Sequence, residues 1–294
     1  MRIALPTCSN LPDWEVDDRS LFEALAARGF LLEHPVWDDK AVDWSRFDAV
    51  LVRTTWDYQE KLPAFLEWID QVRKVSQMFN PPDVLRWNTD KRYLRDLADR
   101  GVAIAPTVWL ERGQRVNVAS HVREAGWRRA FLKPMVGATA RETLRFDADI
   151  DGFATAQAHI DRLIPSEGLM LQPYLESVET VGELSLILVD GELSHAVRKV
   201  PVQGDYRVQD DFGAADFPVE VDGSTVDLAR AVLEAGTPTG DHPLLYGRVD
   251  FMTGPAGELL VGELELIEPS LFLRHAPQAG TRIAEALGKR MGMA

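Results

Sequence analysis

The opening third of the chain alternates short apolar runs with stretches of helical periodicity. "RIALP" reads as a short strand. "DDRSLFEALAARGF" carries apolar residues at helical spacing, has Asp17 and Asp18 as candidate caps and stops at Gly29. "LLEHPVW" reads as a second strand and "DAVLVRTTWDY" as a third. "LPAFLEWIDQVRKV" reads as a helix with Pro63 near its start. This βαβαβ order constrains the fold more than any other feature. Parallel strands need long crossovers, and the crossovers are helices that cover the sheet. The N-terminal part is therefore α/β. Ligands of such sheets sit beyond the carboxyl ends of the strands. There "RTTWDY" gathers Arg53, Trp56, Asp57 and Tyr58, a cation, a carboxylate and two rings. The competing reading is a loop packed by its own aromatics.

The rest of the chain has a different grammar. "NPPDVLRWN" reads as a linker, and "TDKRYLRDLADRGV" as a helix from Thr89 or Asp90 to Gly101. Strand signals follow in "APTVWL" and in "RRAFLKPMVGATARETLRF", the latter as two strands around a small-residue loop. "DADIDGFATAQAHIDRLI" is a helix and "GLMLQPYLE" a strand. "ELSLILVDGELSHAVRKV" is a hairpin turning at Asp190-Gly191. A helix at 224–236 precedes a strand pair in "GRVDFMTGPAGELLVGELELIEP", and "GTRIAEALGKRMG" closes the chain as a helix. This half is α+β.

That last strand pair holds Arg248, Asp250, Glu263, Glu265 and Glu268 among apolar residues. Strand side chains alternate faces with period two. Glu263 and Glu265 share one face and Leu264 and Leu266 the other; Arg248 and Asp250 share a face opposite Val249 and Phe251. The face is either a solvated edge or a metal site.

Charge and cysteine content narrow the function. The 294 residues carry 32 basic and 46 acidic side chains, a net charge of −14. Broad nucleic-acid or anionic-membrane surfaces need clustered Lys and Arg, so neither is an expected partner. Cys8 is the single cysteine, which leaves no disulfide framework and no cysteine metal site. The N-terminus lacks the apolar run of a signal peptide, and no stretch approaches a membrane span, so a soluble cytoplasmic protein is expected.

Common phosphate-loop and dinucleotide fingerprints do not occur. In their place is a dispersed set. Lys91 falls on the first turn of an expected helix, where ammonium and helix dipole both favour phosphate. Lys133 ends a strand before "MVGATA". "LQPYLE", with Gln172, Pro173, Tyr174 and Leu175, offers backbone for a purine edge. Glu183 suits a ribose, and Arg198, Lys199 and Arg207 add positive charge. Asp250, Glu263 and Glu265 are hard oxygen donors of the kind Mg²⁺ takes.

In this order the motifs resemble the ATP-grasp superfamily of carboxylate–amine ligases over most of the chain. "TDKRYLRDLADRGVAIAPT" resembles the family's lysine-bearing helix, and "FLKP" with its small-residue loop the second ATP lysine and lid. "LQPYLE" resembles the adenine hinge, and "GRVDFM…GELLVGELELIEPS" the metal strand pair. "VQGDYRV" is similar to a segment of glutathione synthetases and of the ribosomal-protein glutamate ligase, and "GRVDF" to D-alanine–D-alanine ligases. "RTTWDY", "RWNTDKRYL" and "ELELIEPSLFL" are most similar to a glutathione-synthetase-like branch that includes the O-ureido-serine cyclo-ligase of cycloserine biosynthesis.

The resemblance implies an ATP-grasp fold in three parts: a pre-ATP-grasp substrate domain at 1–84, a lid subdomain at 85–174 and a metal-bearing subdomain at 175–294. It implies ATP with two Mg²⁺, Mn²⁺ being the alternative ion. ATP would lie on Lys91, Lys133, Gln172, Pro173, Tyr174, Leu175, Glu183 and Lys199, and the metal on Asp250, Glu263 and Glu265. Arg248 and Arg207 would be catalytic, and Arg53, Trp56 and Asp57 would take a small amino-acid-like substrate. A homodimer is common among such relatives. Two departures stand out: Glu265 replaces the usual Asn, and "MVGATARET" has one glycine where relatives have several, with Thr139 and Arg141 as candidate replacements. Two other readings remain, a ligase that modifies a peptide or protein and a catalytically silent nucleotide-binding module.

Overall fold

The structure is a computed structural model that describes residues 1–11, 16–208, 212–237 and 244–293. The first segment contains β1 (Arg2–Ala4), α1 (Arg19–Ala27), β2 (Leu31–Glu33), β3 (Ala49–Leu51), α2 (Leu62–Val72) and β4 (Gln77–Phe79). The four strands form a parallel sheet in the order β2-β1-β3-β4. This is the expected alternation with one more strand. Leu21, Phe22 and Leu25 bury one face of α1, and Gly29, at φ 84°, lets the chain leave it. Asp18 precedes α1 but makes no capping bond. It is fully buried and paired with Arg53 instead.

A helix, α3 (Pro82–Asn88), occupies the stretch read as a linker. Its prolines are not breakers. Pro82 sits in the first turn, where a missing N–H costs nothing, while Val84 and Leu85 pack inward. Next, α4 (Tyr93–Asp99) begins later than expected. Lys91 therefore lies on the turn before the helix, held by its backbone N–H to the Met135 carbonyl at 2.7 Å. The chain continues through β5 (Val108–Leu110), α5 (Val118–Glu124), β6 (Arg129–Pro134), β7 (Leu144–Asp147), α6 (Ile150–Leu163) and β8 (Leu169–Pro173). These strands make an antiparallel sheet in the order β5-β8-β6-β7. Asn117 and Asp149 cap α5 and α6 with their side chains.

The last segment runs through α7 (Ser177–Thr180), β9 (Glu183–Val189), β10 (Glu192–Val200), β11 (Ala215–Val219), α8 (Gly223–Ala235), β12 (Tyr246–Thr253), β13 (Leu259–Glu265) and α9 (Gln278–Arg290). Its antiparallel sheet has the order β11-β10-β9-β12-β13. Asp190 and Gly191 turn the expected hairpin at φ 53° and 82°. The closing helix returns to the first sheet. Ile283, Ala284 and Leu287 share a core with Ile3, Leu21 and Leu25. A Cβ on Gly280 would lie 2.8 Å from the Leu21 nitrogen, so α9 seats against α1 because Gly280 has no side chain. Among the described residues no helix is long and apolar enough to cross a membrane.

Two buried asparagines lock the first sheet's side of the molecule to β12 and β13. The Asn80 side chain accepts from Leu245 N–H at 2.7 Å and donates to the Tyr246 and Leu266 carbonyls at 2.8 and 2.9 Å. Asn88 donates to the Leu264 carbonyl and accepts from Leu266 N–H, both at 2.8 Å. Each amide supplies a donor and an acceptor, and so completes backbone pairs that would otherwise be buried unmade.

Candidate active site

On β12 and β13, Asp250 stands opposite Glu263 and Arg248 opposite Glu265. All four face a cavity of about 340 Å³ between the two antiparallel sheets. The period-two reading of this face holds: Val249 and Leu264 are buried on the other side. The acidic alternation is not a solvated edge.

The same cavity collects the dispersed cations. Lys91 donates to the Gly137 carbonyl and lies 3.6 Å from Glu263. Lys133 lies 3.5 Å from Glu263. Lys199 is paired with Glu183 and, at 3.3 Å, with Asp250. Arg248 grips Asp250 at 2.9 Å, contacts Glu265 and donates to the Ser270 carbonyl at 2.9 Å. Gln172, Pro173, Tyr174 and Leu175 line the cavity too. The Tyr174 N–H is taken by the Arg129 carbonyl, whereas the Leu175 N–H has no hydrogen-bond partner among the described residues.

Burial strains these charges, and neighbours decide the outcome. Desolvation drives Lys133 below the usual lysine range despite Glu263. Burial also opposes the charge on Lys199, but Asp250 and Glu183 outweigh it and raise its pKa. Glu263 is likewise opposed by burial, yet Lys91 and Lys133 hold it below its ordinary value. Glu265 is pushed up to about 7, first by burial and then by Asp250 and Glu263, against the pull of Arg248. Burial first, and then the charge of Glu265, push Glu268 up to about 8.

Several expected residues behave differently. Arg53 does not face the cavity. It is 2% exposed, donating to Asp18 at 2.8 and 2.9 Å and to the Pro269 carbonyl at 2.9 Å. Asp57 is also absent from the cavity wall. It accepts from the Trp37 indole at 2.6 Å and pairs with Lys61 at 2.8 Å. Trp56 does line the cavity, with its indole N–H on the Glu268 carbonyl at 3.0 Å. Arg207 lines it as well, but its guanidinium is clasped by Asp205 and lies over the Phe212 ring. Glu183 is engaged by Lys199. In the loop after β6, Thr139, Ala140 and Glu142 adopt φ near 50° without being glycine, and Arg141 folds back onto Glu167 and the Val136 carbonyl. Arg141 is thus a brace of the loop.

The donor set suits a hard divalent cation. Asp250, Glu263 and Glu265 offer only carboxylate oxygens, and burial first, then the charges of Asp250 and Glu263, raise Glu265. Among the described residues no three carboxylate, imidazole or thiol groups converge enough to hold a metal alone. The expected set Asp250, Glu263 and Glu265 therefore lines one cavity without forming a ready-made three-carboxylate metal site.

Known proteins resemble this chain in sequence and in fold. A family model described as the N-terminal domain of D-cycloserine synthetase DcsG matches residues 3–80. Cycloserine biosynthesis protein DcsG of Streptomyces lavendulae is 34% identical over 292 residues, covering 94% of each chain. The chain belongs to the ATP-grasp ligases, in the DcsG family. The crystal structure of D-cycloserine synthetase DcsG superposes on the ligase with a TM-score of 0.89, at 33% identity, covering 99% of this chain and 100% of that one. The ATP-grasp ligase PsnB, solved with its minimal precursor, has a TM-score of 0.66 at 19% identity, covering 98% and 99%, and shares the fold. The ligase is an ATP-dependent carboxylate–amine ligase, which removes the silent-module reading.

Two residues of the site escaped sequence reasoning as site residues. Glu268 lies past the end of β13, where the strand period no longer says which way a side chain points. Ser185 donates to Asp250 from β9, a contact made only by strand pairing.

Proposed function

We propose that the ligase activates the carboxylate of a small amino-acid-like substrate with ATP and closes a C–N bond within that same molecule. O-ureido-serine is the substrate expected, and the product a cycloserine-type ring whose nitrogen keeps the carbamoyl group until water removes it as carbon dioxide and ammonia. One observation carries the reading. The lysines and arginine suited to a triphosphate and the carboxylates suited to its cation line one cavity, in a chain resembling D-cycloserine synthetase over its whole length.

The chemistry is a phosphoryl transfer followed by an acyl transfer. A substrate carboxylate oxygen attacks the γ-phosphorus, and ADP leaves. A nitrogen lone pair then attacks the acyl carbon of the acyl phosphate, phosphate leaves, and the nitrogen gives up a proton. Lys91 and Lys133 bind phosphate oxygens and release Glu263 as they do so. The free Leu175 N–H meets the purine edge, and Lys199 with Glu183 borders the nucleotide. Asp250, Glu263 and Glu265 would hold two Mg²⁺, with Mn²⁺ as the alternative. The metal supplies charge neutralisation on the phosphates and polarises them. Arg248 steadies the charge on the transferring phosphoryl and on the tetrahedral acyl centre. Positioning supplies much of the acceleration in such a reaction. The segment 1–84 would act as the substrate side, 85–174 as the lid and 175–294 as the metal side.

The test is phosphate release from Mg²⁺-ATP with O-ureido-serine as probe. ADP, phosphate and a ring-closed product are expected. AMP as the nucleotide product, or no dependence on any small amino-acid-like carboxylate, overturns the reading.

A further inference from the structure

The inner wall of the cavity has carboxylates with cations beside them and one without. Glu183 has Lys199, Asp250 has Arg248 and Lys199, Glu263 has Lys91 and Lys133, and Glu265 has Arg248. Glu268 lines the same cavity, is 8% exposed and has no ion pair within 4 Å among the described residues; its carboxylate takes its own backbone N–H, and Lys91 and Arg248 act on it from farther off. We propose that Glu268 seats the ammonium group of the substrate and so makes the ligase selective for carboxylates that carry an amine. The proposal rests on the function proposed above and deepens it.

Three features support it. First, the backbone beneath the carboxylate is fixed in place. The Trp56 indole holds the backbone carbonyl of Glu268 at 3.0 Å, and Arg53 holds that of Pro269 at 2.9 Å. The backbone that carries this carboxylate is thus held in place, and a buried carboxylate is charged cheaply only when a cation sits beside it. A ligand cation removes that cost.

Second, the surroundings suit an organic ammonium better than a metal. Trp56 and Tyr58 both line the cavity. Tyr58 and Glu268 line the same cavity, and after burial the charge of Glu268 pushes the Tyr58 phenol above its ordinary value. A hard metal wants several oxygen ligands, whereas an ammonium is satisfied by one carboxylate and aromatic faces.

Third, the position matches a zwitterion. Arg248 donates to the carbonyl of Ser270, two residues beyond Glu268. The group that would steady the reacting carboxylate and the group that would hold the ammonium thus meet at one short segment, 268–270. Asp57, expected from the sequence to take the amine, is occupied by Trp37 and Lys61.

The experiment uses the full chain with Mg²⁺-ATP and two probes, O-ureido-serine and its analogue with hydrogen in place of the α-amine. Wild type should prefer the amine-bearing probe. Glu268→Gln should reduce that preference by roughly 10–100-fold, the scale of one charged hydrogen bond. The loss should fall mainly on KM for that probe and leave KM for ATP in place. Glu268→Asp, which keeps the charge, should restore part of the preference and guards against a folding defect in the first variant. A wild type that uses both probes equally well, or a Glu268→Gln variant with unchanged preference, overturns the proposal and leaves the ligase reading standing. Equal losses on both probes also overturn it, because Glu268 would then act on the nucleotide or on the fold. No phosphate release by wild type with either probe removes the substrate reading and this proposal with it.

Discussion

Replacing Arg53 by alanine should cost stability more than catalysis. The guanidinium is 2% exposed and Asp18 is fully buried, with two bonds between them at 2.8 and 2.9 Å. Arg53 also donates to the Pro269 carbonyl and lies 5.2 Å over the Tyr246 ring. Burial opposes its charge, but Asp18 more than compensates and raises its pKa. Truncation leaves Asp18 as an unpaired charge in the core, which costs about 3–5 kcal/mol. For a chain of this size that is a fall in Tm of roughly 5–8 °C. Arg53→Leu combined with Asp18→Leu should recover much of the loss, because a buried pair exchanged for apolar groups is often neutral. Scanning calorimetry on the single and double variants measures the cycle, and kcat/KM per folded molecule is taken from the same samples. Wild-type Tm with kcat/KM down about 100-fold would refute the reasoning and return Arg53 to the substrate.

Other expected outcomes follow from the same contacts. Lys133→Ala should weaken ATP by about 10-fold or more, since one charged contact is lost; an unchanged ATP Kd by calorimetry would put the phosphates elsewhere. Asn88→Ala removes the amide that pairs with backbone on both sides of Glu265. Tm should fall with a loss of about 1–3 kcal/mol, and the Mg²⁺ concentration needed for half-maximal rate should rise; an unchanged Mg²⁺ requirement would make Asn88 purely structural. Glu268 has a folded pKa of about 8, above its ordinary value. Its contribution to stability is therefore present at acid pH and lost as pH rises through about 8. Ligand-free wild type should lose Tm from pH 6 to 9 relative to Glu268→Gln, and parallel Tm curves would contradict this.

What could be read ahead of the structure was what repeats locally. The hairpin at Asp190-Gly191 carries its own turn chemistry. The charged face of β12 and β13 follows from period two alone, and so did its placement on one side. What could not be read depends on residues far apart. Arg53 and Asp57 looked like a substrate rim because their partners, Asp18 and Trp37, lie 35 and 20 residues upstream. Asn80 and Asn88 looked like linker residues, yet they pair with backbone some 165 to 186 positions away. The sequence also shows which charges exist but not how they pair. Lys91 and Lys133 both lean on Glu263, and Arg248 spans Asp250 and Glu265. With no ligand present, the phosphate-seeking cations and the metal-seeking carboxylates therefore neutralise one another. Triphosphate and metal arriving together exchange each of these internal pairs for a new one, so neither set of charges has to be stripped bare. An anion arriving alone would have to pull the lysines from Glu263, which is left uncompensated in a buried site. Nucleotide and metal should accordingly bind this ligase more tightly together than their separate affinities would suggest.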